Sequence, residues 1–464
     1  MVFPVVGGTQ STGYEIDNSL RFNDNDTAYL NRTRSSQSNT TGTFSVWTKM
    51  GNPGADNILF GGHTDVNNRS YIYFSDPDGY VGIFSRTSGS ADIAYNSNGR
   101  FRDPSAWYHV VVAIDTTDGT AGNRFKMYIN GTQYTDWGTA TAPSQNASLP
   151  ILNQAAQTVG GGYGSSAVSA MAEGYMADAY YIDGQQKAAS DFGETDDNGV
   201  WIPKKYDGTY GTNGFKLEFQ QTGTGTASAS TIGADTSGED NHLTSNNLAA
   251  TDVTVDTPTN NFCTWNPLIG RAAAYATFAE GNLDADFTSG SVYYRATGSI
   301  GVTSGKWYAE IKCIDDGGNT DLKIGVEHAS PDQTTIDGVH KVIQSWNGHK
   351  ASGGSASSFG DSYADGDIVG VLLDMDNGTI KFSKNGTMMA SSASAYTDLI
   401  SAMPESGWAF FAYGYDDANV QANFGNAPFS ISSGNADANG YGNFEYAVPN
   451  GYYALCTKNL ATYG

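Results

Sequence analysis

Apolar and polar side chains alternate with a period of two through much of this chain. In Arg124-Phe-Lys-Met-Tyr-Ile-Asn130 and Thr379-Ile-Lys-Phe-Ser-Lys384 the alternation is clearest, and it predicts strands with one face packed inward and the other in water. Both are reached by the same route. An apolar strand ends in Asp (Tyr108 to Asp115, Ile368 to Asp374), a second strand follows, and Asn130-Gly131 or Asn385-Gly386 turns it into a third. Asn-Gly is the strongest short hairpin signal, because both residues tolerate the positive φ that a tight turn demands. Asn377-Gly378 predicts one more two-residue turn just before the later strand. Long amphipathic helical stretches are absent. The pattern predicts two β-meanders in series, and so an all-β chain of two antiparallel β-sandwich (jelly-roll) domains joined by a polar connector.

The boundaries follow from where strands cluster. After an N-terminal arm at residues 1–13, a first domain at 14–221 opens with Ser19-Leu-Arg-Phe22 and closes with Gly214-Phe-Lys-Leu-Glu-Phe219. The stretch from Thr222 to Thr259 is rich in Gly, Thr, Ser, Asp and Asn and poor in large apolar residues, so residues 222–261 read as a linker or extended crossover. The second domain, 262–429, carries Lys306-Trp-Tyr-Ala-Glu-Ile-Lys312, the later meander and Trp408-Ala-Phe-Phe-Ala-Tyr413. The tail, 430–464, holds Tyr441, Phe444, Tyr446, Tyr452, Tyr453 and Tyr463. Those are too many large rings for a free coil, so the tail is expected to dock on its own domain or on another subunit.

Composition narrows the function. A chain of 464 residues exceeds the size at which one core keeps growing. Its 57 glycines, 28 tyrosines and 21 phenylalanines suit short strands and many turns. A net charge of −24 argues against nucleic acid and anionic membrane as partners, since such binding rests on clustered Lys and Arg. Cys263, Cys313 and Cys456 have no paired spacing, which suggests neither a disulfide framework nor a zinc site. The N-terminus lacks the basic start and apolar core of a leader, and no segment approaches the roughly 20 apolar residues of a membrane span.

Several motifs resemble known families. Trp107-Tyr-His-Val-Val-Val112 with Lys126-Met-Tyr-Ile-Asn-Gly131 resembles the concanavalin A-like, laminin-G-like jelly roll, common in carbohydrate-binding modules and adhesion proteins. Ser304-Gly-Lys-Trp-Tyr-Ala-Glu-Ile311 with the run from Gly366 to Gly386 is similar to the SPRY family. The whole chain, through Gly13 to Asp24, Thr231 to Gly238, Asn423 to Phe429 and Pro449 to Leu460, resembles virion proteins of tailed phages, especially marine ones. That resemblance implies a fibre, appendage or surface decoration, made in the host cytoplasm and carried on the virion surface. Its partners are then other virion proteins, sibling subunits in a homo-oligomer such as a trimer, and a host-surface glycan or protein. The segment between Phe429 and Phe444 is longer than the short link usual in those proteins.

Catalysis is not expected. Retaining glycosidases need two carboxyls about 5 Å apart, which laminarinase-like relatives draw from Glu-x-Asp-x-(x)-Glu along one strand. Glu15-Ile16-Asp17 begins that pattern, but Asn18 and Ser19 follow. Asp374 and Asp376 share a strand face at a turn mouth, with no glutamate nearby as acid. The six histidines form no nucleophile motif, and His109 reads as a packed or edge residue. A glycan depolymerase is thus the lesser alternative, beside a purely structural decoration or assembly role. Binding fits better, through loop rings and planar polar groups. The first domain offers His63, Asp65, Asn67, Tyr95, Trp137 and Tyr163. The SPRY resemblance implies partner-docking loops and points to Trp346, His349, Tyr363 and Tyr415, while Trp307 and Tyr308 pack inside. No cofactor is required. Asp65, Asn67 and Asn68 can supply hard oxygens for calcium, and the acidic balance favours a neutral sugar, a protein surface or a calcium bridge.

Overall fold

The computed structural model describes residues 13–35, 40–51, 56–75, 79–153, 156–164, 167–269, 276–287, 293–318, 322–329, 340–415 and 417–464. The expected N-terminal arm lies almost wholly outside these residues. The regular structure is nearly all β, with one short α-helix among the described residues, Thr457–Tyr463. It forms two compact units that divide between Thr259 and Asn260.

The unit ending at Thr259 is a sandwich of two eight-stranded antiparallel sheets. Thr41–Met50 lies at the centre of the first, between Trp107–Asp115 and Gly174–Asp183. In the second, Asn57–Asp65, Asn68–Phe74, Val81–Thr87 and Ser90–Ser97 run side by side as a meander. Alternation places Ser70, Ile72 and Phe74 inside and leaves Tyr71 and Tyr73 half-buried outside. Phe44 and Phe60 stack at 4.4 Å across the core. The first sheet departs from simple alternation: Gly174–Asp183 is buried at every residue. Its outer face is roofed by Ala189, Phe192, Tyr206 and Trp201 packing on Val111, Tyr180 and Ile182, and a strand covered on both faces reads as a continuous apolar run such as Val110-Val111-Val112.

The expected connector is instead part of this unit. Ile232 and Leu243 are fully buried in the core, Thr244–Asn246 closes the edge of the second sheet, and Val253–Thr254 pairs with Ser19–Phe22. Asp256 is buried, with its carboxylate on Lys49 Nζ at 2.8 Å and on Trp107 Nε1 at 3.3 Å. Three aliphatic anchors, Ile232, Leu243 and Leu248, and turn bonds such as Asp235 accepting from Lys216 N, Ser237 N and Asn241 N order a segment whose bulk composition is that of a linker.

The unit Asn260–Gly464 packs an eight-stranded sheet on a six-stranded one around Trp265, Trp307 and Trp408. The tail docks on its own unit. Tyr453–Ala454 adds in parallel to Lys306–Asp315, and Phe444, Ala454 and Cys456 cover Tyr308 and Leu372 on the outer face of that sheet. Glu310 pins it: the buried carboxylate accepts from Glu445 N (2.9 Å), Tyr446 N (2.7 Å), Tyr308 Oη (3.1 Å) and Asn423 Nδ2 (3.1 Å). All three cysteines are buried free thiols. Asn130-Gly131 and Asn385-Gly386 have positive φ at both residues, as a two-residue hairpin requires. Asn377-Gly378 does not: Asp374 pairs with Thr379 across a four-residue loop in which Gly378, but not Asn377, has positive φ.

Candidate functional site

The residues picked from the sequence separate into groups. His63 and Tyr163 come together on the outer face of the second sheet of the first unit, stacked at 4.5 Å. Asp65, Asn67 and Asn68 form the hairpin turn beside them. Asp65 Oδ1 accepts from Asn67 N (2.7 Å) and Asn68 N (3.1 Å), and both its oxygens accept from Asn68 Nδ2. These bonds hold its carboxyl below the usual range, and they account for the three residues as turn chemistry without an ion. Tyr95 and Trp137 do not join them. Tyr95 faces the interior and stacks on Phe125 at 4.3 Å, and Trp137 packs edge-on against Tyr95 at 5.0 Å.

Between the His63–Tyr163 pair and the far strands runs a strip that the sequence reading passed over. Register places Tyr71 opposite Phe84 and Tyr73 opposite Gly82 on this outer face. Tyr71 lies 5.5 Å from Phe84 and 5.4 Å from Tyr73, and Tyr73 Oη donates to Asn96 Oδ1 at 2.8 Å. All three rings are half-buried, so their remaining surface meets solvent. Arg69 lies 5.9 Å over Tyr71 and Arg86 5.6 Å over Phe84. Arg69 Nη1 donates to the carbonyls of Tyr163 and Gly164, both at 2.6 Å, tying the Gly161–Tyr163 strand down beside the strip. The signal was present in the polar-facing half of the alternation: Arg69-x-Tyr71-x-Tyr73 and Phe84-x-Arg86 put rings and cations where a solvated face ordinarily carries small polar groups.

In the second unit Trp346 is 37 % exposed. It connects through Lys323, whose Nζ stands 5.8 Å from Trp346, 5.0 Å from Tyr293 and 4.8 Å from Tyr413. Tyr415 joins at 4.8 Å from Tyr293. His349 is half-buried in the adjoining turn, its N–H on Asn347 Oδ1. Tyr363 is interior, 2 % exposed, with its hydroxyl reaching the carbonyls of Leu322 and Ile343, so it presents no surface to a partner.

The acids are mostly committed. Glu15 and Asp17 are exposed ahead of the first strand. Asp374 pairs with Lys306 at 3.0 Å and accepts from Asn377, and Asp376 accepts from Gly305 N. Burial pushes Asp178 up to about 6. Lys216 bridges it to Glu218, at 3.9 and 2.6 Å, and Tyr180 Oη donates to it. Burial likewise raises Glu327 to about 7 against the pull of Arg295, which pairs with it. Asp315, Asp316 and Asp365 bring carboxylate oxygens within 4.8 Å of one another, a hard-oxygen group that the sequence reading did not single out because Asp365 is distant in the chain.

Comparison with known proteins agrees with this layout. Residues 22–179 match the family model of the concanavalin A-like lectin/glucanases superfamily, and residues 306–404 match that of the SPRY domain. The chain therefore carries one domain of each kind. Ran-binding protein 9 of Danio rerio is 28 % identical over 139 residues, 29 % of this chain and 22 % of that protein. The Xenopus tropicalis protein of the same name is 24 % identical over 175 residues, 36 % and 30 %. The chain spans less than a third of the length of these curated relatives. Among solved structures, the SPRY domain of human HERC1 is 20 % identical, covering 34 % of this chain and 96 % of that one at a TM-score of 0.27. The SAP-like pentraxin of Limulus polyphemus is 16 % identical, covering 38 % and 80 % at 0.29.

Proposed function

We propose that this protein is a non-enzymatic structural protein of a phage virion, a fibre, appendage or decoration, whose concanavalin A-like domain holds a glycan on the host surface. The observation that carries the adhesive part is the strip Tyr71, Tyr73 and Phe84. Sugar C–H faces stack on half-exposed rings, and the hydroxyls take hydrogen bonds from flanking polar groups, here Asn96 and the two arginines. The strip sits on strands of a rigid sandwich, so little ordering is needed on binding. The virion setting rests on the sequence resemblance at Gly13 to Asp24, Thr231 to Gly238, Asn423 to Phe429 and Pro449 to Leu460. Many copies on one particle convert weak single sites into useful avidity. The exposed Trp346, joined by Tyr293 and Tyr415, supports a separate contact with particle proteins or sibling subunits.

The interior placement of Asp178 and Glu327, each beside a cation, supports binding over hydrolysis. Purified protein applied to a glycan array and to host cells tests the reading. Saturable binding that Tyr71→Ala and Phe84→Ala together abolish is expected. Silence toward every glycan and toward the host surface would leave only the decoration role.

A further inference from the structure

Arg69 and Arg86 are directly opposed partners on neighbouring antiparallel strands. Both side chains therefore stand on the same outer face of the sheet. Like charges so placed oppose folding, and the chain has 48 acidic residues from which neutralising partners could be drawn. Yet neither guanidinium forms an ion pair among the described residues. The Arg86 guanidinium makes no hydrogen bond there, and the Arg69 guanidinium uses only Nη1, on two main-chain carbonyls.

The surroundings are equally unsatisfied. Arg69 Nε, Arg86 Nε, His63 Nδ1 and Asp92 Oδ2 are buried atoms without a hydrogen-bond partner among the described residues, and His63 as a whole is 8 % exposed. Such groups usually find partners. Burial raises the Tyr71 phenol, Arg69 and Arg86 pull it back, and Asp56 and Tyr80 push it up, so both arginines act on the same hydroxyl with Asp56 opposing them. Asp92, on the strand after Arg86, pairs with neither.

We infer, resting on the sugar-binding reading above, that this face recognises an acidic saccharide: one carboxylate or sulfate group lies between Arg69 and Arg86 while the sugar ring meets Tyr71 and Phe84. A single anion there replaces mutual repulsion by two charge-assisted contacts. The guanidinium fork suits carboxylate and sulfate oxygens alike, and Asp92 Oδ2 remains for a sugar hydroxyl. The net charge of −24 works against a polyanion at long range. Beyond about 8 Å at physiological salt that field is screened, so recognition is local.

Full-length protein is tested on an array of carboxylated, sulfated and neutral oligosaccharides. Binding concentrated on anionic members is expected, and the division between carboxylated and sulfated ones identifies the group. Arg86→Gln is expected to weaken that binding about ten-fold or more, with Arg86→Lys in between, and to keep or raise the thermal midpoint because a like-charge contact is relieved. Wild-type affinity for the anionic members is also expected to fall as salt rises, a readout that needs no variant. Neutral sugars bound equally well, with no effect of Arg86→Gln or salt, would overturn the anion inference and leave adhesion standing. Binding to no saccharide of any class would overturn both.

Discussion

His109 lies between Trp47 and Trp201, with ring centroids 4.7 and 6.0 Å away. Trp201 Nε1 donates to Nδ1 at 3.0 Å, so the imidazole proton sits on Nε2, facing Ser45 Oγ at 2.9 Å. Among the described residues no charged group offers the ring a partner, and burial lowers its pKa to about 3. The unfolded chain, with a histidine pKa near 6.5, takes up this proton first as pH falls. The stabilising contribution is therefore complete above about pH 6.5 and lost progressively toward pH 3, on the order of 5 kcal/mol over the whole window. Urea unfolding near pH 7 and near pH 4.5 checks this. His109→Gln is expected to be less stable than wild type near pH 7 and to lose less on acidification. Equal losses in both proteins would place the pH dependence elsewhere. The sequence places His109 on a strand beside three valines, which is where it lies. The tryptophan that fixes its tautomer comes 92 residues later, and no local pattern carries that contact.

Among the elements, the hairpins were legible because their chemistry is local. Asn130-Gly131 and Asn385-Gly386 form the turns their residues specify, whereas Asn377-Gly378 shows the same dipeptide inside a longer loop, where Asp374 pairs with Thr379 and sets the register. The Gly131 turn also carries a tertiary constraint: a Cβ there would meet the Trp201 ring at 2.4 Å. Gly238 has a comparable positive φ with nothing within 4 Å. Gly238→Ala should thus cost only the left-handed backbone penalty, about 1 kcal/mol, while Gly131→Ala adds displacement of Trp201 and should cost roughly 2–3 kcal/mol. Chemical denaturation of the two variants measures the difference, and equal losses would mean that Trp201 yields freely. Alternation predicted strand faces well wherever one face is wet. It could not reveal which wet faces carry a binding strip, because Arg69, Tyr71 and Arg86 satisfy the polar half of the pattern as readily as any solvated residue.

At the scale of the whole molecule, sandwich units were legible from strand spacing, but their limits were not. A unit's edge is set by which residues cover its last exposed strands, and a few anchors suffice. Ile232, Leu243 and Leu248 are separated by polar residues, so composition alone marks their segment as a tether. In the folded chain the same segment supplies Asp256 to the buried Lys49 and a strand to each sheet. Removing it leaves a buried ammonium without its carboxylate, which alone costs roughly 3–5 kcal/mol. The tail is equivalent in the other unit: without Glu445 and Tyr446, Glu310 loses two backbone donors, and Tyr308 and Leu372 on the same face are uncovered. Fragments 13–259 and 260–464 are therefore expected to unfold cooperatively and resist proteolysis. Fragments 13–221 and 262–429 are expected to be degraded or to aggregate. Circular dichroism melts with limited proteolysis of all four decide the matter. A stable 262–429 would mean that the tail is an adjunct to a finished sandwich, free to serve a sibling subunit, whereas its collapse makes the tail the outer layer of its own unit.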